Sequence, residues 1–163
     1  MANQLTPMTD ITRARQSAST GFSLIELMVA VTIVSILAGI AIPSYIQQVR
    51  QSRRTEARLA LLDLAAREER FMTTNNAYTS VPASLGYSGT FPQIVAGGYY
   101  QVDVCVAATA PCGSSSATTG NIFLVQATPV GSQAADTQCT SFTLDSTGVQ
   151  AATGATSSSC WAR

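Results

Sequence analysis

Gly21-Phe22-Ser23-Leu24-Ile25-Glu26-Leu27 opens an apolar run that continues to Ile42, and Glu26 is the one formal charge inside it. From Phe22 to Ile42 the run has 21 residues. As an α-helix rising 1.5 Å per residue it spans ~30 Å, the thickness of the hydrocarbon layer of a bilayer. A carboxylate about one turn inside such a helix costs roughly 2.5–3.5 kcal/mol on insertion scales. Keeping it there points to a positive partner, and an amino terminus made by cutting the chain just before Phe22 would provide one.

Upstream of the run the chain is polar and short of acids, and it carries Arg13 and Arg15. The excess of positive charge holds this end in the cytoplasm, so the remainder is exported. An ordinary secretory signal is cut after its apolar run. Here Pro43 and Ser44 follow the run with no convincing small-x-small site, and the helical pattern continues past Pro43. The apolar segment therefore stays in the mature protein.

With its basic leader, apolar run and Pro43, the stretch from Gly21 to Leu27 resembles the class III signal of type IV pilins. Gly21, Phe22 and Glu26 match the positions that family requires, and Pro43 falls where it carries a helix-kinking proline. The resemblance implies that a prepilin peptidase cuts between Gly21 and Phe22 and that the new Phe22 amine is methylated. It also implies that Glu26 meets the Phe22 amine of a neighbouring subunit, which neutralises two charges in a dry filament core and sets axial register. A leader of 21 residues is long for the family, and Met8 offers an alternative start that keeps both arginines. Gly39 weakens helix propensity by ~1 kcal/mol and Pro43 removes one i→i−4 hydrogen bond. The stretch between them is either a site of bending on assembly or an ordinary membrane-helix kink.

Beyond the membrane the helical reading continues from Ser44 to about Thr74. Ala57, Leu61, Leu64, Ala65, Phe71 and Met72 share one face at 3.6-residue spacing, and Glu68 interrupts it. Asp63 and Arg67 form an i,i+4 pair in the favourable order. Asn75-Asn76 is the expected stop. The cluster Arg50, Arg53, Arg54 and Arg58 lies just outside the bilayer, where it either meets acids of neighbouring subunits and lipid phosphates or forms a solvated face. The segment from Arg54 to Phe71, followed by Asn75-Asn76-Ala77-Tyr78-Thr79, is similar to the PilE-type minor pilins.

The rest reads as a small exported head. Residues 78–98 lack a period and hold Pro82, Gly86, Gly89, Pro92, Gly97 and Gly98, the composition of a long connecting loop. Residues 99–108 alternate, with Tyr100, Val102, Val104 and Val106 on one side, as in a half-buried strand. Residues 121–128 form a more fully apolar strand, and 140–145 a third with Phe142 and Leu144 inward. Ser146-Thr147-Gly148 turns the chain into a short fourth strand at 149–152. Residues 111–120 form a flexible tip. The fold class is thus α+β, the type IV pilin fold implied by the resemblance, with a long N-terminal helix against a four-stranded antiparallel sheet. The expected divisions are a cleaved leader at 1–21, a transmembrane and filament-core helix at 22–43, its exported continuation at 44–74, and a disulfide-stapled head at 75–163.

All four cysteines, Cys105, Cys112, Cys139 and Cys160, lie beyond the membrane segment. An even count in an exported domain favours disulfides over free buried thiols, and four cysteines allow three pairings. Cys105–Cys112 would close a local loop. Cys139–Cys160 would staple the C-terminal segment, as in the disulfide-bounded region of the family, whose last cysteine is often followed by a tryptophan, here Trp161.

Composition excludes much chemistry. There is no histidine, which removes histidine-based triads and the commonest metal ligand. No phosphate loop, nucleophile–base pair or metal spacing is present, so no enzyme, metal or cofactor is expected. From Phe71 onward one basic residue, Arg163, stands against Asp103, Asp136 and Asp145. Direct nucleic-acid binding by the head is accordingly not expected. The resemblance implies a minor pilin supporting twitching, adhesion or DNA uptake, with a major pilin of the same organelle or a type II secretion pseudopilin as alternatives. The implied partners are major and minor pilins, the peptidase-methylase, the inner-membrane assembly platform and the inner membrane. The chain would be a single-pass inner-membrane protein with a periplasmic head before assembly, and a pilus component after it.

Overall fold

The computed structural model describes residues 21–106, 112 and 118–162. The leader before Gly21 and most of the expected tip at 111–120 lie outside the described residues. The described chain comprises two compact units that meet between Ala41 and Ile42. One α-helix, α1 (Leu24–Asn75), passes through both, with Pro43 inside it.

In the first unit the apolar side chains are exposed. Leu24, Ile25, Val34 and Ile36 each keep more than 60% of their surface, and the stretch is long and apolar enough to cross a membrane. Two of its hydroxyls bond to its own backbone: Thr32 Oγ1 donates to the Met28 carbonyl and Ser35 Oγ to the Val31 carbonyl, each at 2.8 Å. These two mid-helix hydroxyls therefore present no open donor to an apolar environment.

In the second unit α1 buries Ala57, Leu61, Leu64 and Glu68. The spacing of 4, 3 and 4 residues places them on one stripe. Ala65, Phe71 and Met72 pack at the margin of the same core. After Asn75 the chain turns at Asn76, whose φ of 55° is left-handed and whose N–H donates to the Met72 carbonyl at 2.8 Å. Asparagine tolerates this conformation at a helix C-terminus better than most residues.

The sheet departs from expectation in strand number. It has five antiparallel strands in the order β2 (Gln93–Val95), β3 (Tyr100–Val106), β5 (Phe123–Pro129), β6 (Ser141–Asp145) and β7 (Gln150–Thr153). The expected four-stranded meander corresponds to β3, β5, β6 and β7. Strand β2 arises from residues expected to be loop: Gln93, Ile94 and Val95, between Pro92 and Gly97, pair with Val102, Gln101 and Tyr100. A strand of three residues is too short to show a period. A separate two-stranded ribbon pairs β1 (Tyr78–Thr79) with β4 (Thr119–Gly120), drawing on the expected loop and the expected tip.

The registers place Val104 opposite Val125, Val125 opposite Leu144, and Phe142 opposite Ala152. Tyr100, Val102, Val104 and Val106 point into the core, as the alternation predicts. Strand β5 also alternates, with Phe123, Val125 and Ala127 buried and Leu124 half-buried. It is thus one-sided in burial, although the run Ile122 to Val125 is apolar throughout. Edge-to-face aromatic contacts tie the layers: Tyr78 with Phe123 at 4.8 Å, Tyr100 with Phe142 at 6.0 Å, and Phe142 with Trp161 at 5.9 Å between ring centroids.

Candidate functional site

The N-terminal motif stands exposed. Gly21, Phe22 and Ser23 precede the helix, and Leu27 N–H donates to the Ser23 carbonyl at 3.1 Å. Phe22 is 83% exposed. Glu26 lies in the first turn of α1 and is also exposed. The first four N–H groups of a helix have no partner within it, and their dipoles favour negative charge nearby. Glu26 therefore sits where the helix itself offers partial compensation, with no arginine paired to it among the described residues. Gly39 and Pro43 are exposed helix positions further along.

Three of the four collar arginines are engaged by the chain's own head. Arg54 donates from Nε and Nη2 to the two carboxylate oxygens of Asp136, each at 2.6 Å. Asp136 also accepts from Gln133 Nε2 at 3.1 Å and from Gln138 N–H at 3.2 Å. Gln133, fully buried, donates as well to Tyr100 Oη at 3.2 Å. Arg53 lies 3.5 Å over the Tyr99 ring and donates to Ser132 Oγ. Arg58 donates to the Trp161 and Ala162 carbonyls at 2.9 and 2.7 Å. The sequence had offered these side chains to neighbours, lipid or solvent; their long stems instead fold back on loops that only tertiary structure brings near. Arg50, half-buried, makes no side-chain hydrogen bond or ion pair among the described residues, beside Gln47, Gln51, Thr137 and Gln138.

At the far end the chain is bound to its own sheet. Cys139 and Cys160 are joined, with Cα atoms 5.9 Å apart, and Cys105 is joined to Cys112, with Cα atoms 5.5 Å apart. The indole of Trp161 donates to the Ala151 carbonyl at 2.7 Å while its ring meets Phe142. Gly154 (φ +128°) packs its Cα against the Gln138–Cys139 backbone, where an added Cβ would collide with the Gln138 carbonyl.

Glu68, which interrupts the apolar stripe, is not a solvated exception. It is fully buried, and Oε2 accepts the Thr79 N–H at 3.1 Å while Oε1 has no partner among the described residues. Burial pushes its pKa up to about 7, against the lowering effect of the Thr79 hydrogen bond. Asp63 and Arg67 form the expected pair at 2.8 Å. Arg67 also donates to the Leu85 carbonyl at 2.9 Å and lies over Tyr87. With exposed Arg70, Phe71, Thr74 and Asn75 it lines an open groove. Sequence reading missed Asp136, Gln133 and the anchoring of Glu68. The one usable signal was Asp136 itself, one of only three acids beyond Phe71.

No group of three or more metal-ligating side chains is present among the described residues. Comparison with known proteins gives the arrangement a family. Residues 43–143 match the family model described as "Type IV minor pilin ComP, DNA uptake sequence receptor". Residues 16–42 match the "Prokaryotic N-terminal methylation motif". Over 68 residues the chain is 37% identical to the type IV major pilin protein PilA of Myxococcus xanthus, covering 42% of this chain and 31% of that one. Over 65 residues it is 35% identical to the type IV wide pilus major component PilA4 of Thermus thermophilus, covering 40% of this chain and 50% of that one. The chain thus spans half or less of the length of these curated relatives. Among solved structures, a type IV pilin from Shewanella oneidensis aligns with a TM-score of 0.45 and 24% identity, over 70% of this chain and 99% of that one. The non-core minor pilin PilV of Neisseria meningitidis aligns with a TM-score of 0.45 and 22% identity, over 67% and 91%. Matched by the family model over more than half of its length, the chain belongs to the type IV minor pilins.

Proposed function

We propose that the chain is a structural subunit of a type IV pilus, cut by a prepilin peptidase between Gly21 and Phe22 and methylated at Phe22. The observation that carries this reading is the exposed apolar stretch of α1 with Glu26 in its first turn, inside a segment that matches the N-terminal methylation motif. Before assembly the stretch holds the protein in the inner membrane with the head on the periplasmic side. During assembly it leaves lipid and packs against the same stretch of other pilins, major and minor, on the inner-membrane platform. The gain is smaller than for apolar surface leaving water, because lipid solvates it well, so matched charges carry much of the specificity. Glu26 meets the Phe22 ammonium of a neighbour, and breaking one partner of such a buried pair costs ~3–5 kcal/mol. Gly39 and Pro43 mark where the helix adapts, and the two disulfides keep the small head closed outside the cell. Replacing Glu26 by Ala tests this. Incorporation into sheared filaments falls by at least tenfold while the membrane-bound pool persists; unchanged incorporation would contradict the reading.

A second reading takes up the DNA-receptor description of the family. It is favoured here by the groove beside Arg67 and Arg70, where Arg70 offers a guanidinium with no side-chain partner among the described residues. Against it stands the sparse positive charge beyond Phe71. A salt-dependent mobility shift of the purified chain with duplex DNA, lost in R70A, would establish contact; no shift at low salt would leave the subunit a purely structural one.

A further inference from the structure

Glu68 has no role in the assembly chemistry proposed above, yet it lies within the core of the head. Its side chain reaches from α1 to the first residues after the helix, and Thr79 N–H is the one donor it receives among the described residues. Thr79 in turn belongs to the small ribbon, where it pairs with Thr119, and its hydroxyl donates to the Thr118 carbonyl at 3.2 Å. Ser80 N–H donates to the same carbonyl at 3.1 Å. The ribbon is separate from the five-stranded sheet, so Glu68 is a direct tether between it and the helix.

We propose that Glu68 is a proton-controlled latch, which holds the β1–β4 ribbon on the helix while its carboxyl is neutral and releases it on ionisation. The geometry carries this. A neutral carboxyl still accepts the Thr79 N–H through one oxygen and has a second oxygen to hold the proton. An ionised one leaves Oε1 charged, buried and without a donor among the described residues, and a buried unpaired charge strongly favours any opening that admits water. The groups acting on it supply no relief. On its own helix Glu69 is a like charge, and it accepts from Tyr78 Oη at 3.0 Å. From β1 the titratable group is Tyr78, itself held neutral by burial and by that bond to Glu69. Strand β4 carries no titratable side chain, and no arginine pairs with Glu68 among the described residues. The latch therefore works in the range around pH 7, where burial has placed its titration.

Amide hydrogen exchange on the full chain in detergent micelles, corrected for the intrinsic effect of pH, tests this at Thr79 and Ser80. With a closed-state titration at about 7 and an ordinary one at about 4.5 when open, protection falls about tenfold between pH 6 and pH 8. Val104 and Val125 in the central strands serve as references and hold constant. In E68Q the protection of Thr79 and Ser80 is the same at both pH values. Protection that changes less than twofold in the wild-type chain, or a tenfold change that persists in E68Q, overturns the proposal. Carbon-13 titration of the Glu68 carboxyl in the wild-type chain gives an independent reading: a midpoint near 7 supports it, and one below 5 overturns it.

Discussion

Replacing Arg54 by Ala removes the most extensively bonded charge between helix and head. The Asp136 side chain is 1% exposed and that of Arg54 15%. Two of the four hydrogen bonds to the carboxylate come from Arg54, and those left, from Gln133 and the Gln138 N–H, carry no positive charge. Removing one partner of a buried ion pair costs ~3–5 kcal/mol, chiefly through the charge left behind. The residual exposure of Arg54 lets water reach the gap, so the expected loss is at the lower end, ~3 kcal/mol. Urea unfolding of the full chain in micelles, followed by the emission of Trp161, the one tryptophan, measures it. The double variant R54A/D136A no longer holds an orphaned carboxylate and is expected to be no less stable than R54A. A loss below ~1 kcal/mol in R54A, typical of an exposed pair, or a double variant whose loss is the sum of the singles, would refute the buried-pair reasoning.

Glu68 makes stability depend on pH in a definite direction. Its folded pKa, about 7, lies above the ordinary 4.5, so the folded state holds the extra proton between those values. The contribution is fully present below about 4.5 and is lost as pH rises through about 7, a change of up to ~3 kcal/mol. Unfolding curves from pH 4 to pH 9 are expected to show this decline in the wild-type chain and its absence in E68Q. Gly154→Ala is expected to destabilise by ~1–3 kcal/mol, because its φ of +128° disfavours a side chain and the new Cβ runs into the Gln138 carbonyl; a change within experimental error would show that the turn relaxes freely.

The long apolar helix and the sheet's inward face were legible because each is written in a local pattern. Twenty-one residues from Phe22 to Ile42 carry one charge, and Tyr100, Val102, Val104 and Val106 alternate strictly. Asn75-Asn76 marked the helix stop, and Asn76 takes the left-handed turn there. What stayed hidden depends on partners distant in sequence. Gln93–Val95 becomes a strand only because β3 offers an edge, and Thr79 pairs with a segment 40 positions later. Arg54 looked like part of a basic collar until the fold brought Asp136, 82 residues away, against it. Glu68 looked like a flaw in the apolar stripe; its bond to Thr79 exists only once the chain has turned back over the helix.

The central claim is that a new amino terminus at Phe22 lets an apolar helix carrying Glu26 join a filament. Intact mass and N-terminal sequencing of the protein recovered from sheared pili test it most directly. A chain beginning at N-methylated Phe22, and failing to reach the filament when the prepilin peptidase is absent, is the predicted result. A chain recovered there with residues before Phe22 still attached, or one never found in filaments while abundant in the membrane, would contradict it.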